Sequence, residues 1–369
     1  MKSFDTDVFV LGGGPAGLAA AIAARQAGLN VILADARRPP IDKACGEGLM
    51  PDAVSAASQL GINIPRAEGH VIRGIRYRSS QHQVMADFPA GPGMALRRTV
   101  LQPLLVTRAE QAGVETLWGR SVTGLAGNSI LLGNEKLQAR WVVGADGMQS
   151  STRRWGGMQS FRRNSHRFSY RRHFQIAPFS DYVEVFWGDG FQLYLTPVSN
   201  DEIGLALITR NPRQRIENAL QSFPFLNSLL SGRPATSTER GALAATRQLH
   251  RVTKGNIALI GDAAGTVDPI SGEGLCLAFK EGLILASALA AGDLHQYERA
   301  HRRLTRRPRF MADFMLLMDR SAFIRRRTLA AFESHPPLFA NLLSMHVGDW
   351  SPARFAATAT MLGWQLISS

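Results

Sequence analysis

The stretch DVFVLGGGPAGLAAAIAARQAGLNVILAD, residues 7–35, leaves this chain few ways to begin folding. Asp7–Gly12 is a continuous apolar run rich in β-formers, the pattern of a parallel strand buried on both faces. Gly12, Gly14 and Gly17 then fit G-x-G-x-x-G, with Pro15 and Ala16 between them. LAAAIAARQAG reads as a helix closed at Gly28, and NVILAD as a second strand ending at Asp35. Each piece has a chemical reason. Gly12 permits a tight turn, Gly14 lets the backbone approach a pyrophosphate, and Gly17 lets helix pack closely on strand. The helix start offers free N–H groups and a positive dipole end to phosphate. Asp35 stands about 20 residues beyond the glycines, where an acid accepts ribose hydroxyls. The motif does not by itself separate a nicotinamide from a flavin dinucleotide.

Two further strand-turn units follow. ARWVVGADGMQSSTRR carries Asp146 between Gly144 and Gly147, with Ser150, Ser151 and Arg153 behind it. GNIALIGDAAGTVDPISGEGLCLAFKEG carries Gly261 and Asp262, then Pro269, Gly272, Gly274 and Leu275 at the head of a long helix. With the N-terminal unit, these three motifs in this order resemble the glutathione-reductase-type FAD superfamily, in its aromatic-hydroxylase and geranylgeranyl-reductase branch. The resemblance covers nearly the whole chain.

The resemblance implies an α/β chain: a Rossmann-type FAD domain, an antiparallel-sheet substrate domain and a helical C-terminus. Residues 1–70, 95–160 and 246–292 form the discontinuous FAD domain. Residues 71–94 and 161–245 form the sheet domain, and 293–369 the helical region. It places Asp262 at the ribityl and pyrophosphate region, and Gly272–Gly274 with the following helix start beside the isoalloxazine. A helix N-terminus there stabilises negative charge on a reduced flavin. Arg98, ahead of Leu101 and Leu105 at helical spacing, resembles the family arginine that reaches FAD. Val122 falls where the family chain passes the adenine. Asp146 is linked to both FAD and NAD(P)H in the family, and a Gly-flanked Asp after a strand is equally a common turn.

DKACGEGLMPDAV, Asp42–Val54, holds one of the two cysteines. By resemblance it passes the isoalloxazine, with Ala44, Cys45 and Gly46 against the cofactor and Gly46 and Gly48 letting the backbone come near. Cys45, Glu47 and Tyr194 are the candidate catalytic residues. Cys45 is a proton donor, a gate or only a small residue that fits. Tyr194 is a cavity residue or a core aromatic of the sheet.

Much is excluded. Disulfide reductases need a redox cysteine pair, and Cys45 has no partner nearby; Met50 stands five residues on. With no second glycine-rich nucleotide unit, an NAD(P)H that reduces the flavin has to bind transiently in the substrate cleft, as the resemblance to the hydroxylase branch implies. Flavin halogenases need a lysine beside the substrate, and none occurs between Lys43 and Lys136; FQLYLTP replaces their W-x-W-x-I-P segment. Two cysteines give no disulfide framework, and no Cys/His spacing fits a metal. The net charge of +13 includes clusters at His301–Phe310 and Phe323–Phe332, without a nucleic-acid-binding signature. The last apolar run, Phe355–Ile367, is too short to cross a bilayer. A cytoplasmic protein is expected, with at most peripheral contact to an anionic membrane.

Three functions compete. The CGEGLMP spelling resembles monooxygenases of polyketide-type pathways. It favours an NAD(P)H-dependent hydroxylase that acts through a flavin C4a-hydroperoxide on a bulky hydrophobic or polyketide-like aromatic substrate. The alternative is an isoprenoid alkene reductase, since Cys45-Gly46 resembles the reductase turn and Gly265 stands where many hydroxylases have histidine. FQLYLTP departs at Gln192 and Thr196 from the reductase Trp-x-Phe-Pro segment. The third is a non-enzymatic FAD-bound protein of lipid surfaces.

Overall fold

In the computed structural model, residues 4–348 and 352–368 are described. The strand Thr6–Leu11 lies at the centre of a sheet, flanked by Glu135–Gly144 and Val31–Asp35. Ile257–Leu259 and Glu115–Trp118 continue it outward, all in parallel register. Val8, Phe9 and Val10 are fully buried, as a strand covered on both faces requires. The crossover between the first two strands is the helix Pro15–Gln26, which starts three residues earlier than the apolar run of its sequence. Pro15 sits in its first turn, where the missing N–H costs no hydrogen bond. That helix packs on the long helix Gly274–Ala290. A Cβ on Gly282 would lie 2.8 Å from the Ala19 backbone, so only glycine permits that approach.

The second layer is a seven-stranded sheet. Its order is Arg240–Ala244, Arg167–Gln175, Glu202–Thr209, Phe191–Pro197, Tyr182–Trp187, Gly74–Arg78 and Gln83–Asp87. All neighbours are antiparallel except Tyr182–Trp187 with Gly74–Arg78. The last two strands arrive from the segment between the helices Pro51–Gln59 and Arg98–Gln111, so the sheet is built from two separate stretches of chain. Strand alternation divides its faces. Leu193 and Leu195 pack in the core of the short helices Ile216–Leu220 and Pro224–Leu230, while Tyr194 and Thr196 line a cavity on the opposite side.

The chain closes with helices Leu294–Arg320, Ala322–Ser334, Pro336–His346 and Pro352–Ser368. Met311, Met315, Phe339 and Leu342 pack with Tyr77, Val185 and Trp187 of the sheet. Among the described residues no helix is long and apolar enough to cross a membrane.

Candidate active site

A cavity of about 600 Å³ runs between the two layers. Its first half is formed by the turns that leave the parallel strands. Gly12 has φ 112°, and a Cβ there would lie 2.4 Å from the Ala145 carbonyl oxygen. Gly17 lies beneath the turn, where a Cβ would meet the Gly12 oxygen at 1.8 Å. Gly14 differs: its nearest neighbour to an added Cβ is an Arg98 guanidinium nitrogen at 4.0 Å. The first glycine closes the turn, the third seats the helix, and the second faces the cavity.

Asp35 lines the same wall and accepts the N–H groups of Gly13 and Arg37, both at 2.8 Å. Each carboxylate oxygen keeps a lone pair for a ribose hydroxyl. Pro15, Ala16, Ala44, Cys45, Gly46, Val122, Gly261, Pro269, Gly272, Gly274 and Leu275 line the cavity as well. Nothing stands within 4 Å of a Cβ built on Gly46, Gly272 or Gly274. Two separate segments thus expose bare backbone to one space, and Gly14 adds a third. Arg98 is buried against it, and its Nε has no partner among the described residues. A bare cradle with an orphaned buried guanidinium fits an anionic dinucleotide.

Asp146 lines the cavity, but its oxygens are taken by Ser150 Oγ, the Thr152 N–H at 2.9 Å and Thr152 Oγ1 at 3.0 Å. It holds the turn that starts helix Ser151–Trp155. Arg153 ties this turn to the neighbouring one, donating to the carbonyls of Ala263 at 3.0 Å and Met148 at 2.6 Å. Burial lowers the pKa of its guanidinium.

Asp262 lies in a short turn, Gly261–Ala263, two residues past its strand; Gly261 has φ 59°. Lys43 Nζ reaches Asp262 Oδ2 at 2.6 Å, and both side chains are partly exposed on the cavity wall. Sequence reasoning missed Lys43. It also missed Gln102, whose Nε2 donates to the Gly13 carbonyl at 3.2 Å and whose Oε1 accepts the Ile41 N–H. The available signal was its spacing, four residues after Arg98 and so on the same helix face.

The three candidate catalytic residues come together on the cavity but differ in availability. Cys45 is partly exposed, and its Sγ accepts the Glu47 N–H at 3.4 Å. Tyr194 donates its hydroxyl to the Ile270 carbonyl at 2.8 Å, and burial raises its pKa well above that of a free phenol. Glu47 lines the cavity and is buried. Its oxygens meet the Arg98 N–H at 2.8 Å and His173 Nε2 at 2.6 Å, with Arg171 behind at 3.9 Å. Its carboxylate holds the turn through these contacts.

The FAD binding domain model matches residues 5–240, more than half of the chain. The chain belongs to this FAD-binding family. Menaquinone reductase of Mycobacterium tuberculosis (strain ATCC 25618 / H37Rv) is 27% identical over 93% of both chains. Digeranylgeranylglycerophospholipid reductase of Thermoplasma acidophilum is 28% identical over 76% of both. A flavoprotein/dehydrogenase from Cytophaga hutchinsonii shares the fold, with a TM-score of 0.85 at 15% identity, over 98% of this chain and 99% of that one. The protein is an FAD-dependent oxidoreductase, and the bare glycine cradle with Arg98 is where its residues would hold FAD.

Proposed function

We propose that this flavoprotein reduces carbon–carbon double bonds of a long isoprenoid-type lipid, with NAD(P)H as transient reductant. The observation that carries this reading is the second half of the cavity. Its walls are Ile72, Ile75, Val183, Val185, Met311, Met315, Phe339 and Leu342. The two tyrosine hydroxyls there are already engaged: Tyr194 with the Ile270 carbonyl and Tyr77 with Met315 sulfur at 3.7 Å. Such a chamber favours hydrocarbon by burying apolar surface. The two reductase relatives, one a quinone enzyme and one a lipid enzyme, span most of the chain and support the same class.

When bound, FAD supplies the hydride chemistry. The chain's residues do the rest. The sheet and the C-terminal helices keep water from the reacting carbons. The Cys45-Gly46 turn and the N-terminus of helix Gly274–Ala290, both on the cavity wall, would hold the ring end of the cofactor. Oxygenation is the second reading, favoured by the CGEGLMP spelling of residues 45–51.

The test is anaerobic turnover of the FAD-loaded protein with NADH or NADPH, using menaquinone and a geranylgeranyl lipid as probes. A product two hydrogens heavier, formed without oxygen, is expected. Product formed only in air and carrying ¹⁸O from ¹⁸O₂ would overturn the reductase reading.

A further inference from the structure

Behind the cofactor-facing turn Gly272–Gly274 lies a cluster of ionisable groups that the cradle does not use. Glu273 is 2% exposed; its Oε1 is 4.0 Å from Arg307, and its Oε2 has no partner among the described residues. Arg307 is 3.8 Å from Asp52. Asp52 accepts from Lys280 at 2.6 Å and from the Cys276 thiol at 3.2 Å, and its other oxygen has no partner among the described residues. At the opposite end His346 lines the cavity and contacts the Ser271 carbonyl through Nε2 at 2.9 Å. His346 Nδ1 and Arg307 Nε are likewise buried without partners among the described residues.

Four unpaired buried polar atoms in one small cluster are unusual, because each costs about 1–3 kcal/mol. They are tolerated where buried water can bridge them. The cluster is also directional. Lys280 and Arg307 reach solvent, with 26% and 21% of their side chains exposed, whereas His346 faces the apolar chamber. Glu273 immediately precedes the helix that opens on the cradle, and Arg307 and Asp52 act on both Glu273 and His346.

We infer that this cluster is a proton path from solvent to the chamber, with Glu273 as its carrier. The inference rests on the reductase reading. Saturating an alkene adds a hydride equivalent to one carbon and a proton to the other, so each turnover must draw one proton into a chamber that excludes water. Burial raises the Glu273 carboxyl pKa to about 8, so it holds a proton at neutral pH. The same burial lowers the His346 pKa to about 4, so it relays as a neutral ring. Asp52, Cys276, Lys280 and Arg307 are the groups that act on the carrier, and Asp52 and Arg307 act in turn on His346.

The test is Glu273→Gln, which keeps the shape and cannot carry a proton. In the FAD-loaded wild type, the flavin absorption is expected to titrate with a midpoint of about 8, and turnover to fall as pH rises through it. In the variant the spectral titration is lost and turnover drops on the order of a hundredfold, with an enlarged solvent isotope effect. Lys280→Met, at the solvent end, keeps the spectral titration and raises the isotope effect. Both variants matching wild type in rate and isotope effect would overturn the path, as would a Glu273→Gln protein that keeps the titration. The titration needs no substrate. A protein that shows it and reduces no isoprenoid supports the carrier and overturns the substrate reading instead.

Discussion

Glu47 meets His173 at 2.6 Å although the two stand 126 residues apart, one in a turn on the cavity wall and one in the seven-stranded sheet. Glu47 also has φ 61°, the one positive φ among the described non-glycine residues. Such a conformation costs about 1–3 kcal/mol and persists only where its surroundings enforce it. Here the enforcing contacts are the Arg98 N–H and His173, with Ser237 bonded to the far side of the imidazole at 2.8 Å. Glu47→Ala removes the pairs and keeps the strain, so we expect a loss of about 3–5 kcal/mol and weaker FAD binding. Glu47→Gly relieves the strain and should recover about 1 kcal/mol relative to alanine. Urea unfolding and fluorescence titration with FAD measure both; an alanine variant as stable as wild type would show that the carboxylate does not hold the turn.

The glycines separate into two mechanisms. A Cβ on Gly17 would overlap the Gly12 oxygen, so Gly17→Ala should unfold the domain or lower its melting temperature sharply. A side chain on Gly46 meets open space, so Gly46→Leu should melt like wild type yet fail to retain FAD. Equal loss of stability in both variants would contradict this division.

Lys43 and Asp262 form a partly exposed pair, and such pairs contribute about 0–1 kcal/mol to folding. Lys43→Met should therefore barely change the stability of the protein without FAD. Because the ammonium lies on the cavity wall, we expect FAD to dissociate about tenfold faster, equivalent to about 1.4 kcal/mol. Stopped-flow release of FAD tests this, and an unchanged rate would remove Lys43 from the binding set.

The raised Glu273 pKa also has a thermodynamic consequence. Unfolded, the carboxyl releases its proton near its ordinary value of 4.5; folded, it keeps the proton to about 8. Between these values the native state binds more protons, so this group's contribution to stability falls as pH rises. His346, with its pKa lowered to about 4, acts in the opposite sense between 4 and 6.5. The difference between Glu273→Gln and wild type isolates the glutamate. That difference in melting temperature should shift in favour of the variant from pH 5 to pH 8, and a constant offset would show that the carboxyl is not perturbed.

Phe310 and Leu317, seven residues apart on one helix, are 43% and 48% exposed, and Phe323 is 56% exposed. Arg303, Arg306, Arg320 and Arg326 are exposed on the same two helices. Apolar knuckles among arginines favour an anionic interface. We expect the protein to pellet with vesicles rich in phosphatidylglycerol, and less so at high salt or as Phe310→Ser/Phe323→Ser. Indifference to lipid charge would leave the arginines as a solvated face.

What the sequence determined by itself is local. Residues 7–35 contain their own strand, turn, helix and acid, because the contacts that order them lie within one crossover. The same holds for the turns at Asp146 and Asp262. Alternation puts Tyr194 on the face opposite Leu193 and Leu195, and packing decides that its face is the cavity. The helix began earlier than its apolar run because proline suits the first turn.

Only the tertiary structure decided what the polar groups are for. Glu47 looked free until His173 and Arg98 were found to occupy it, and Lys43 was silent until it met Asp262 across 219 residues. Glu273, Asp52, Arg307 and His346 come from four segments, and nothing in their spacing brings them together. Periodicity reports which face of an element is buried. The partner of a buried charge is set by how separate elements pack, and that partner fixes whether a carboxylate holds a turn, binds a cofactor or carries a proton.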